Sequence, residues 1–544
     1  MDIYYLGLFF TIANIAVTMD PRLWLATVSG AVTLGYLAIR KLLDYDPREP
    51  PLAPQRIPII SHMIGLYKRT YHYYSDVYAA TGAPIFTVPL PGQKMYVVSS
   101  PDLIQSIQRQ HRAFSIDPIL MKFSSIIAGS SKESDAILQH NVYGDDGDHG
   151  VAHESHIALR EGTKPSNIDE MNRDMLREVS SSLDLLEPPI GQTKRIKLYS
   201  WLRTTLTSAT TRAVYGPMNP YDDQSIADAF WEFEQGIMPI IINILPALFA
   251  RKAIAARAKV AQAFYKYYTS NGQESASLLT RLRYGVATRN KLPVEDIAKI
   301  EIGGTIAIMV NTIPAAFWTL FYVHADPALL ASIRAEVEAC IETARGEDGT
   351  VTRTINIVTL KASCPLLLSS YQETLRCVGM GTPVREVTQD TYLDGYLLKK
   401  GALIQMPTRV VHSDPKLWGE NVNDFVPERF LPENKSSRPK ESCFRTFGGG
   451  KTLCPGRHFA TNEILAVVAA FVARLEMEPV DKEKGWEAPT SWNTGAAGQI
   501  MAPDRDVEVD IKRREGVEEG WRWVVRVDKG DKVFRMVTED FGDE

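Results

Sequence analysis

The sequence predicts a mainly α-helical fold with smaller β-sheets around one large core. Residues 302–324 and 366–377 are apolar stretches of helical length, and both are predicted to form buried helices. Residues 83–99 alternate on either side of Pro91 and Gly92, which predicts a strand, a turn and a second strand. With 544 residues, 45% of them apolar and 23% charged, the chain can bury such a core.

The N-terminal region predicts a membrane anchor over residues 1–46. Residues 23–39 are predominantly apolar, about the shortest length that spans a bilayer, and Arg40 and Lys41 follow on the expected cytosolic side. Residues 3–17 are also apolar, and the sequence leaves open whether they insert as well. Five prolines within residues 47–58 predict a stiff hinge before the rest of the chain.

Charge and cysteine usage narrow the class of protein. The formal net charge of −5 implies no nucleic-acid partner. The five cysteines are odd in number and widely scattered, which indicates a reducing compartment and no disulfide framework.

One of these cysteines, Cys454, lies in a glycine-rich loop near the C-terminal end. The loop reads FGGGKTLCPGR over residues 447–457, and an apolar segment of helical period follows it. Glycines let the backbone pass close to a large planar cofactor, and a helix N-terminus favours the negative charge of a thiolate. Cys454 is therefore predicted to be a metal ligand, with a buried structural cysteine as the alternative.

Two other interpretations of this loop fit less well. A Walker-type phosphate loop requires a glycine five residues before Gly450, where this sequence has Arg445. A zinc site could use Cys443, Cys454 and His458, but these residues lack the paired spacing of zinc ligands.

The loop resembles the cysteine loop of the cytochrome P450 haem-thiolate family, Phe-x-x-Gly-x-Arg/His-x-Cys-x-Gly. Phe447, Gly450, Cys454 and Gly456 match this pattern in register. The resemblance implies the triangular helical prism of that family for a catalytic domain at residues 47–515. It also implies a haem b whose iron takes the Cys454 thiolate as axial ligand, an arrangement that favours O–O cleavage.

Thr452 departs from the family pattern, which has Arg or His there to pair with a haem propionate. The resemblance therefore implies that Lys451, another base or a hydroxyl group holds this propionate. Arg385 occupies a strand position whose arginine commonly reaches a propionate in the family. Arg160, four residues after His156, lies where the family often has Trp-x-x-x-Arg, although the tryptophan is missing here.

Three residues upstream of the cysteine extend the resemblance. Glu373 and Arg376 are three positions apart in the predicted helix of residues 366–377, so they share a helical face. Arg429 lies in the segment PERF of residues 427–430. In the family these three residues form a buried triad that supports the cysteine loop, so the resemblance implies a structural role for them.

The central stretch of residues 302–324 departs from the oxygen-activating family motif Ala-Gly-x-Asp/Glu-Thr. Val310 replaces the acid and Asn311 replaces the threonine, so the usual acid–alcohol proton relay is missing. An amide does not readily exchange a proton, so proton delivery is expected to run through ordered water or Thr312. Asn311, in the position of the usual threonine, and Thr312 are the candidate catalytic residues. A buried amide with a structural role is the alternative for Asn311. Pro314 lacks an N–H group and leaves the Val310 carbonyl oxygen available to water or substrate.

The segment NTIPAAFW of residues 311–318 is similar to the sterol 7α-hydroxylase, sterol 12α-hydroxylase and prostacyclin synthase group of this family. We expect a monooxygenase that hydroxylates a lipophilic steroid, terpenoid or polyketide-like substrate with O2. Its electrons come from an NADPH–cytochrome P450 reductase. The alternatives are a reductant-independent isomerase or dehydratase acting on a peroxide or other oxygenated substrate, and a membrane-tethered haem binder.

The resemblance also implies a monomer in the endoplasmic reticulum membrane, with the catalytic domain facing the cytosol, in a secondary-metabolite pathway. Residues 236–249 are strongly apolar and predict either a lid that dips into the membrane or a buried helix. Residues 124–147 are predicted to be loop-rich, and residues 493–499 to form a turn that points at substrate. Residues 516–544 are a charged C-terminal extension, with a short hairpin predicted at residues 521–527.

Overall fold

The computed structural model describes residues 29, 30, 33, 45–57, 60–90, 92–242, 246–492 and 498–528. The anchor helix predicted at residues 23–39 lies outside the described residues apart from those three positions, and residues 3–17 lie wholly outside them. Residues 493–497 of the predicted turn and residues 529–544 of the C-terminal extension also lie outside them.

Helices make up most of the described chain, as predicted. The first are α1 (Ile60–Arg69), α2 (His72–Thr81), α3 (Pro101–Arg109), α4 (Asp117–Ala128), α5 (Lys132–Gln139), α6 (Val151–Gly162), α7 (Asp169–Leu186), α8 (Leu198–Tyr215), α9 (Gln224–Gln235), α10 (Ile237–Ile242) and α11 (Pro246–Phe249). They are followed by α12 (Arg251–Thr269), α13 (Leu278–Arg289), α14 (Val294–Met309), α15 (Thr312–Ala325), α16 (Pro327–Ala339), α17 (Ile357–Ser363), α18 (Pro365–Val378), α19 (Thr408–His412), α20 (Pro415–Trp418) and α21 (Arg457–Arg474).

The strands form small sheets. They are β1 (Ile85–Leu90), β2 (Gln93–Val98), β3 (Phe114–Ser115), β4 (Thr193–Lys197), β5 (Ile341–Arg345), β6 (Val351–Asn356), β7 (Val384–Val387), β8 (Thr391–Leu393), β9 (Tyr396–Leu398), β10 (Leu403–Gln405), β11 (Leu475–Pro479), β12 (Glu508–Arg513) and β13 (Arg522–Arg526). The largest sheet has the order β1-β2-β10-β7-β3, two others have the orders β11-β12-β4 and β13-β6-β5, and β8 pairs with β9. The strand–turn–strand unit predicted at residues 83–99 is confirmed as the antiparallel pair β1 and β2.

The long central helix is interrupted between α14 and α15, at Val310 and Asn311. The physical reason is Pro314, because its nitrogen cannot donate to the Val310 carbonyl oxygen. Helical bonding resumes where the Ala315 N–H donates to the Asn311 carbonyl oxygen at 3.3 Å. Among the described residues, Val294–Ala325 is the one stretch long and apolar enough to cross a membrane, but 78% of its most apolar window is buried inside the protein. It is therefore a core helix.

Two sequence predictions on local structure are wrong. Residues 124–147 are not mainly loop, because α4 continues to Ala128 and α5 occupies Lys132–Gln139. Residues 521–527 do not form a hairpin, because β13 pairs in parallel with β6. Alternation along the chain indicates a strand but cannot identify its partner. Through β13 the start of the C-terminal extension joins the main fold, where Trp523 is 5% exposed.

The last long helix, α21, buries an acidic side chain. Glu463 is 0% exposed, and its Oε1 atom accepts a hydrogen bond from the Thr210 hydroxyl at 2.5 Å. Its Oε2 atom has no hydrogen-bond partner among the described residues. Burial raises the pKa of Glu463 to about 8, and the Thr210 bond acts against that rise. Glu463 is therefore protonated at neutral pH in the folded protein.

Candidate active site

Cys454 lies in the loop that leads directly into α21. Its N–H group donates to the carbonyl oxygen of Phe447 at 2.9 Å, which folds the loop back on itself. Gly448 and Gly450 adopt φ values of 79° and 61°, in the left-handed region that favours glycine. A Cβ atom on Gly450 would also lie 3.1 Å from the Cβ atom of Gln108. These glycines therefore let the loop pass tightly under α3 and present Cys454.

The surroundings of the Cys454 thiol suit a metal ligand. Burial raises the pKa of this thiol, whereas hydrogen bonds from the N–H groups of Gly456 and Arg457, with the charge of Arg457, act to lower it. Cys454 is partly accessible, so a cofactor can reach its thiol. A bound metal ion holds a thiol deprotonated, and the N–H groups at the start of α21 stabilise the resulting negative charge.

Within the described part of the chain, Cys454 belongs to no group of three potential metal ligands. Among the described residues, one group of three potential ligands has its atoms within 4.8 Å of one another, namely His140, Asp146 and His149, and all three are exposed. Cys443 and His458 do not form such a group with Cys454. A single thiolate suits a metal whose other ligands come from a cofactor.

A buried arginine lies close to the cysteine loop. Arg385, on β7, is 4% exposed. It donates from Nη1 to the Val384 carbonyl oxygen at 2.7 Å and from Nη2 to the Thr452 hydroxyl. Burial lowers the pKa of Arg385 to about 10, with Asp117 acting to raise it and Arg445 to lower it further. No carboxylate within the described part of the chain lies at ion-pair distance from Arg385. Because a buried cation requires an anionic partner, this site fits a haem propionate.

The contact between Arg385 and Thr452 bears on the departure of Thr452 from the family pattern. The Thr452 hydroxyl also donates to the Gly449 carbonyl oxygen at 3.1 Å, which fixes it in the loop. Lys451, the neighbouring alternative, is exposed. Of the groups that the sequence offers for this propionate, the geometry favours the Arg385 guanidinium, with the Thr452 hydroxyl accepting a hydrogen bond from Arg385 and so positioning it.

Arg160 is exposed on α6, and its contact with a haem propionate stays a prediction. Its exposure follows from helical geometry, because Ala158 is buried and a residue two positions later lies about 200° further around the helix. His156 lies four residues earlier on the same face of α6, with its Nε2 atom 2.6 Å from Oδ1 of Asp117, the carboxylate that acts on Arg385.

The implied triad of Glu373, Arg376 and Arg429 is present in the structure. Glu373 and Arg376, both on α18, are 0% exposed. Arg376 donates from Nε and Nη2 to the two carboxylate oxygens of Glu373, at 2.8 Å each. Arg429 donates from Nε to Glu373 Oε1 at 3.0 Å. The two arginines thus share one carboxylate, as the resemblance implies.

His412 connects this triad to the cysteine loop, and sequence reasoning missed it. Its Nε2 atom accepts the N–H group of Arg445 at 2.9 Å, and its Nδ1 atom lies 3.2 Å from the Arg376 carbonyl oxygen. Its ring stacks on Phe444 at 5.7 Å with 9° between the planes. Burial holds the pKa of His412 well below its ordinary value, so the imidazole is neutral. The sequence carries no local signal for His412, because its partners are 33 and 36 residues away.

Asn311, the first candidate catalytic residue, contacts the C-terminal segment at the helix interruption. Its Oδ1 atom accepts the N–H group of Gln499 at 2.6 Å. Gln499 in turn accepts the N–H group of Met380 with its carbonyl oxygen at 2.9 Å. Thr312, the second candidate, starts α15 and is 7% exposed. The structure therefore brings the end of the predicted substrate-facing turn to Asn311.

A thiol just before a helix start, with a buried arginine bonded to the same loop, fits a haem-thiolate site. The chain belongs to the cytochrome P450 family, whose profile, described as Cytochrome P450, matches residues 50–501.

Similar proteins agree with this assignment. The chain is 34% identical to "Cytochrome P450 monooxygenase nodJ" of Hypoxylon pulicicidum, over 90% of this chain and 95% of that protein. It is 27% identical to "Cholesterol 7-alpha-monooxygenase" of Cricetulus griseus, over 52% of this chain and 58% of that protein. The solved structure of a retinoic acid-bound cyanobacterial CYP120A1 superposes with a TM-score of 0.64, covering 86% of this chain and 100% of that one at 17% identity. The chain is thus a cytochrome P450 monooxygenase, and the predicted fold class is confirmed.

Proposed function

We propose that this cytochrome P450 hydroxylates a lipophilic substrate of the steroid, terpenoid or polyketide class. O2 supplies the oxygen atom, and an NADPH–cytochrome P450 reductase supplies the electrons. The observation that carries the proposal is the Cys454 thiol just before α21, in the same loop whose Thr452 hydroxyl is bonded by the buried Arg385. The substrate class is supported by the similarity to a protein whose name specifies cholesterol, and by the segment NTIPAAFW.

The residues of the chain have separate parts in this reaction. The thiolate of Cys454 would hold the iron of haem b, and Arg385, positioned by the Thr452 hydroxyl, would hold a propionate of the cofactor. The haem, when bound, supplies O2 activation and the oxidation of the C–H bond. Thr312 is the proposed group for passing a proton from water, because it carries a hydroxyl next to the helix interruption whereas Asn311 carries an amide.

We place the protein on the cytosolic face of the endoplasmic reticulum membrane, as a monomer. Two exposed apolar groups on the described surface support membrane contact. The first lies on α1 and the second on α10 and α11; their members are Ile60, Met63, Ile64 and Tyr67, and Met238, Ile242, Leu248 and Phe249. Exposed apolar side chains in such groups suit the interfacial region of a bilayer. Flotation of the full chain with microsomal lipid vesicles tests this, and protein that stays in the aqueous fraction contradicts it.

A second function, rearrangement or dehydration of an oxygenated substrate without reductant, is favoured by the central helix. Val310 and Asn311 replace the acid and the alcohol of the usual proton relay. The Oδ1 atom of Asn311 is also engaged by the Gln499 N–H group, so it is not free to accept a proton-donating water on that side.

Incubation of the purified chain with sterol and terpenoid extracts separates the two functions. Each reaction is run with and without the reductase and NADPH, and the products are identified by mass spectrometry. The proposal predicts products that gain one oxygen atom, only when the reductase and NADPH are both present. Turnover without reductant, to products that keep their oxygen count or lose one oxygen atom as water, contradicts it and supports the second function. Cys454→Ala is expected to lose the activity, whereas Cys443→Ala, at another buried cysteine, is expected to keep it.

A further inference from the structure

We propose that Asn311 is a positioning residue, which fixes the substrate-side wall of the site at Gln499 and takes no part in proton transfer. This inference rests on the proposed function, since it assigns Gln499 as the polar group that a substrate meets in that site.

The first step is the hydrogen bond itself. The Oδ1 atom of Asn311 accepts the Gln499 N–H group at 2.6 Å, and it crosses from the central helix to a segment 188 residues later. The interruption after Met309 makes this possible, because it places Asn311 between α14 and α15. An amide also offers a carbonyl oxygen that accepts a hydrogen bond without needing a proton of its own.

The second step is the set of contacts that hold the same segment from its other side. The Gln499 carbonyl oxygen accepts the Met380 N–H group at 2.9 Å, and the Met501 N–H group donates to the Val378 carbonyl oxygen at 2.9 Å. The Trp318 indole N–H group, on α15, donates to the Met501 carbonyl oxygen at 2.8 Å. Residues 499–501 are therefore held between the end of α18 and the central helix, and Asn311 forms the bond at the near end.

The third step is the position of the Gln499 side chain. Gln499 is exposed, whereas its neighbours Gly498 and Ile500 are buried. Its Oε1 atom lies over Gly381, so close that a Cβ atom added to Gly381 would be 2.5 Å from it. The backbone of Gln499 is thus fixed at both its N–H and its carbonyl group, while its amide side chain is presented outward over a glycine. That arrangement suits an amide that binds an oxygen function of a largely apolar ligand.

The role assigned to Asn311 accounts for the amide in place of the alcohol. The Oδ1 atom of an asparagine lies one bond further from the backbone than the hydroxyl of a threonine, and it accepts the Gln499 N–H group. Asn311 therefore supplies a hydrogen bond between two chain segments in place of a proton-relay group. This hydrogen bond, from the Gln499 N–H group to Asn311 Oδ1, is called the strut below. Proton delivery is left to Thr312 and water.

Hydrogen exchange tests the strut directly in the full-length haem-loaded protein. Asn311→Leu removes the acceptor, and the amide hydrogens of a peptide that contains residues 498–501 are expected to exchange about 10-fold faster, as for the loss of one hydrogen bond. Asn311→Asp keeps an accepting oxygen and is expected to exchange like the parent protein. Unchanged exchange in Asn311→Leu overturns the strut.

Azole binding tests the wall that the strut holds. Imidazole is small and reports access to the iron, whereas clotrimazole is bulky and reaches the surrounding walls; both affinities are read from the shift of the Soret band. Asn311→Leu is expected to change the clotrimazole affinity about 10-fold and the imidazole affinity less than about 2-fold. Equal changes for both azoles, or no change for either, overturn the proposal.

A second variant keeps the test decisive if Asn311→Leu folds poorly. Gly381→Ala leaves the Asn311 bond in place but pushes against the Gln499 side chain, so it is expected to shift clotrimazole affinity and to leave exchange at residues 498–501 unchanged. A Gly381→Ala protein that binds clotrimazole like the parent overturns the assignment of Gln499. Neither measurement uses O2 or a reductase, so a protein that proves to be reductant-independent contradicts the proposed function without affecting this inference.

Discussion

Replacing Arg376 by leucine is expected to lower the free energy of unfolding by about 3–5 kcal/mol, the range for breaking a buried ion pair by removing one partner. Besides its two bonds to Glu373, Arg376 donates to the carbonyl oxygens of His412, Val422 and Asp424, at 2.9, 2.8 and 3.1 Å. At about 1 kcal/mol per hydrogen bond, loss of the three carbonyl bonds alone accounts for about 3 kcal/mol.

Urea-induced unfolding followed by tryptophan fluorescence measures this change. The matched control is Arg195→Leu, since Arg195 pairs with Asp510 on the surface, with 58% of its side chain exposed. Exposed ion pairs contribute about 0–1 kcal/mol, so the control is expected to stay within that range. If Arg376→Leu is no more destabilising than Arg195→Leu, the buried triad is not the support of the cysteine loop that its geometry indicates.

Three further predictions concern stability, pH and the cofactor. The pKa of the Glu463 carboxyl is 4.5 in the unfolded chain and about 8 in the folded protein. Between pH 4.5 and pH 8 the folded protein therefore binds one proton more than the unfolded chain, so the free energy of unfolding falls as the pH rises through this range. Glu463→Gln is expected to remove that fall, measured as the urea midpoints of unfolding at pH 5 and pH 7.5. A variant whose midpoint falls between these two pH values as much as that of the parent protein contradicts the prediction. Trp523→Ala is expected to cost about 3–5 kcal/mol in the same unfolding assay, whereas Tyr67→Ala, 76% exposed, is expected to cost under about 0.5 kcal/mol. Arg385→Leu is expected to lower the haem-to-protein ratio after gel filtration, with the exposed Lys451→Leu as control; equal ratios in the two variants contradict the assignment of Arg385.

The sequence predicted the parts of the site that depend on local spacing. Glu373 and Arg376 are one helical turn apart, so their shared face follows from helix geometry once α18 is recognised. Pro314 likewise predicts, from the chemistry of its nitrogen alone, that the Val310 carbonyl oxygen lacks a helical partner, although the sequence predicted one unbroken helix over residues 302–324. Arg429 required the family resemblance, because nothing local to it specifies Glu373 as its partner.

Contacts between distant segments could not be predicted from the sequence. His412 bridges the Arg376 carbonyl oxygen and the Arg445 N–H group, and a lone histidine in a short helix carries no sign of either partner. The parallel pairing of β13 with β6 joins segments 170 residues apart, so alternation suggested a hairpin instead.

The reduced carbon monoxide difference spectrum tests the central claim most directly, namely that Cys454 is the thiolate ligand of a haem iron. The full chain is expected to show the thiolate-type band near ~450 nm, and Cys454→Ala is expected to lose it. Cys443→Ala, which alters a buried cysteine that does not serve as ligand, is expected to keep the band. A parent protein without that band, or a Cys454→Ala protein that retains it, contradicts the assignment.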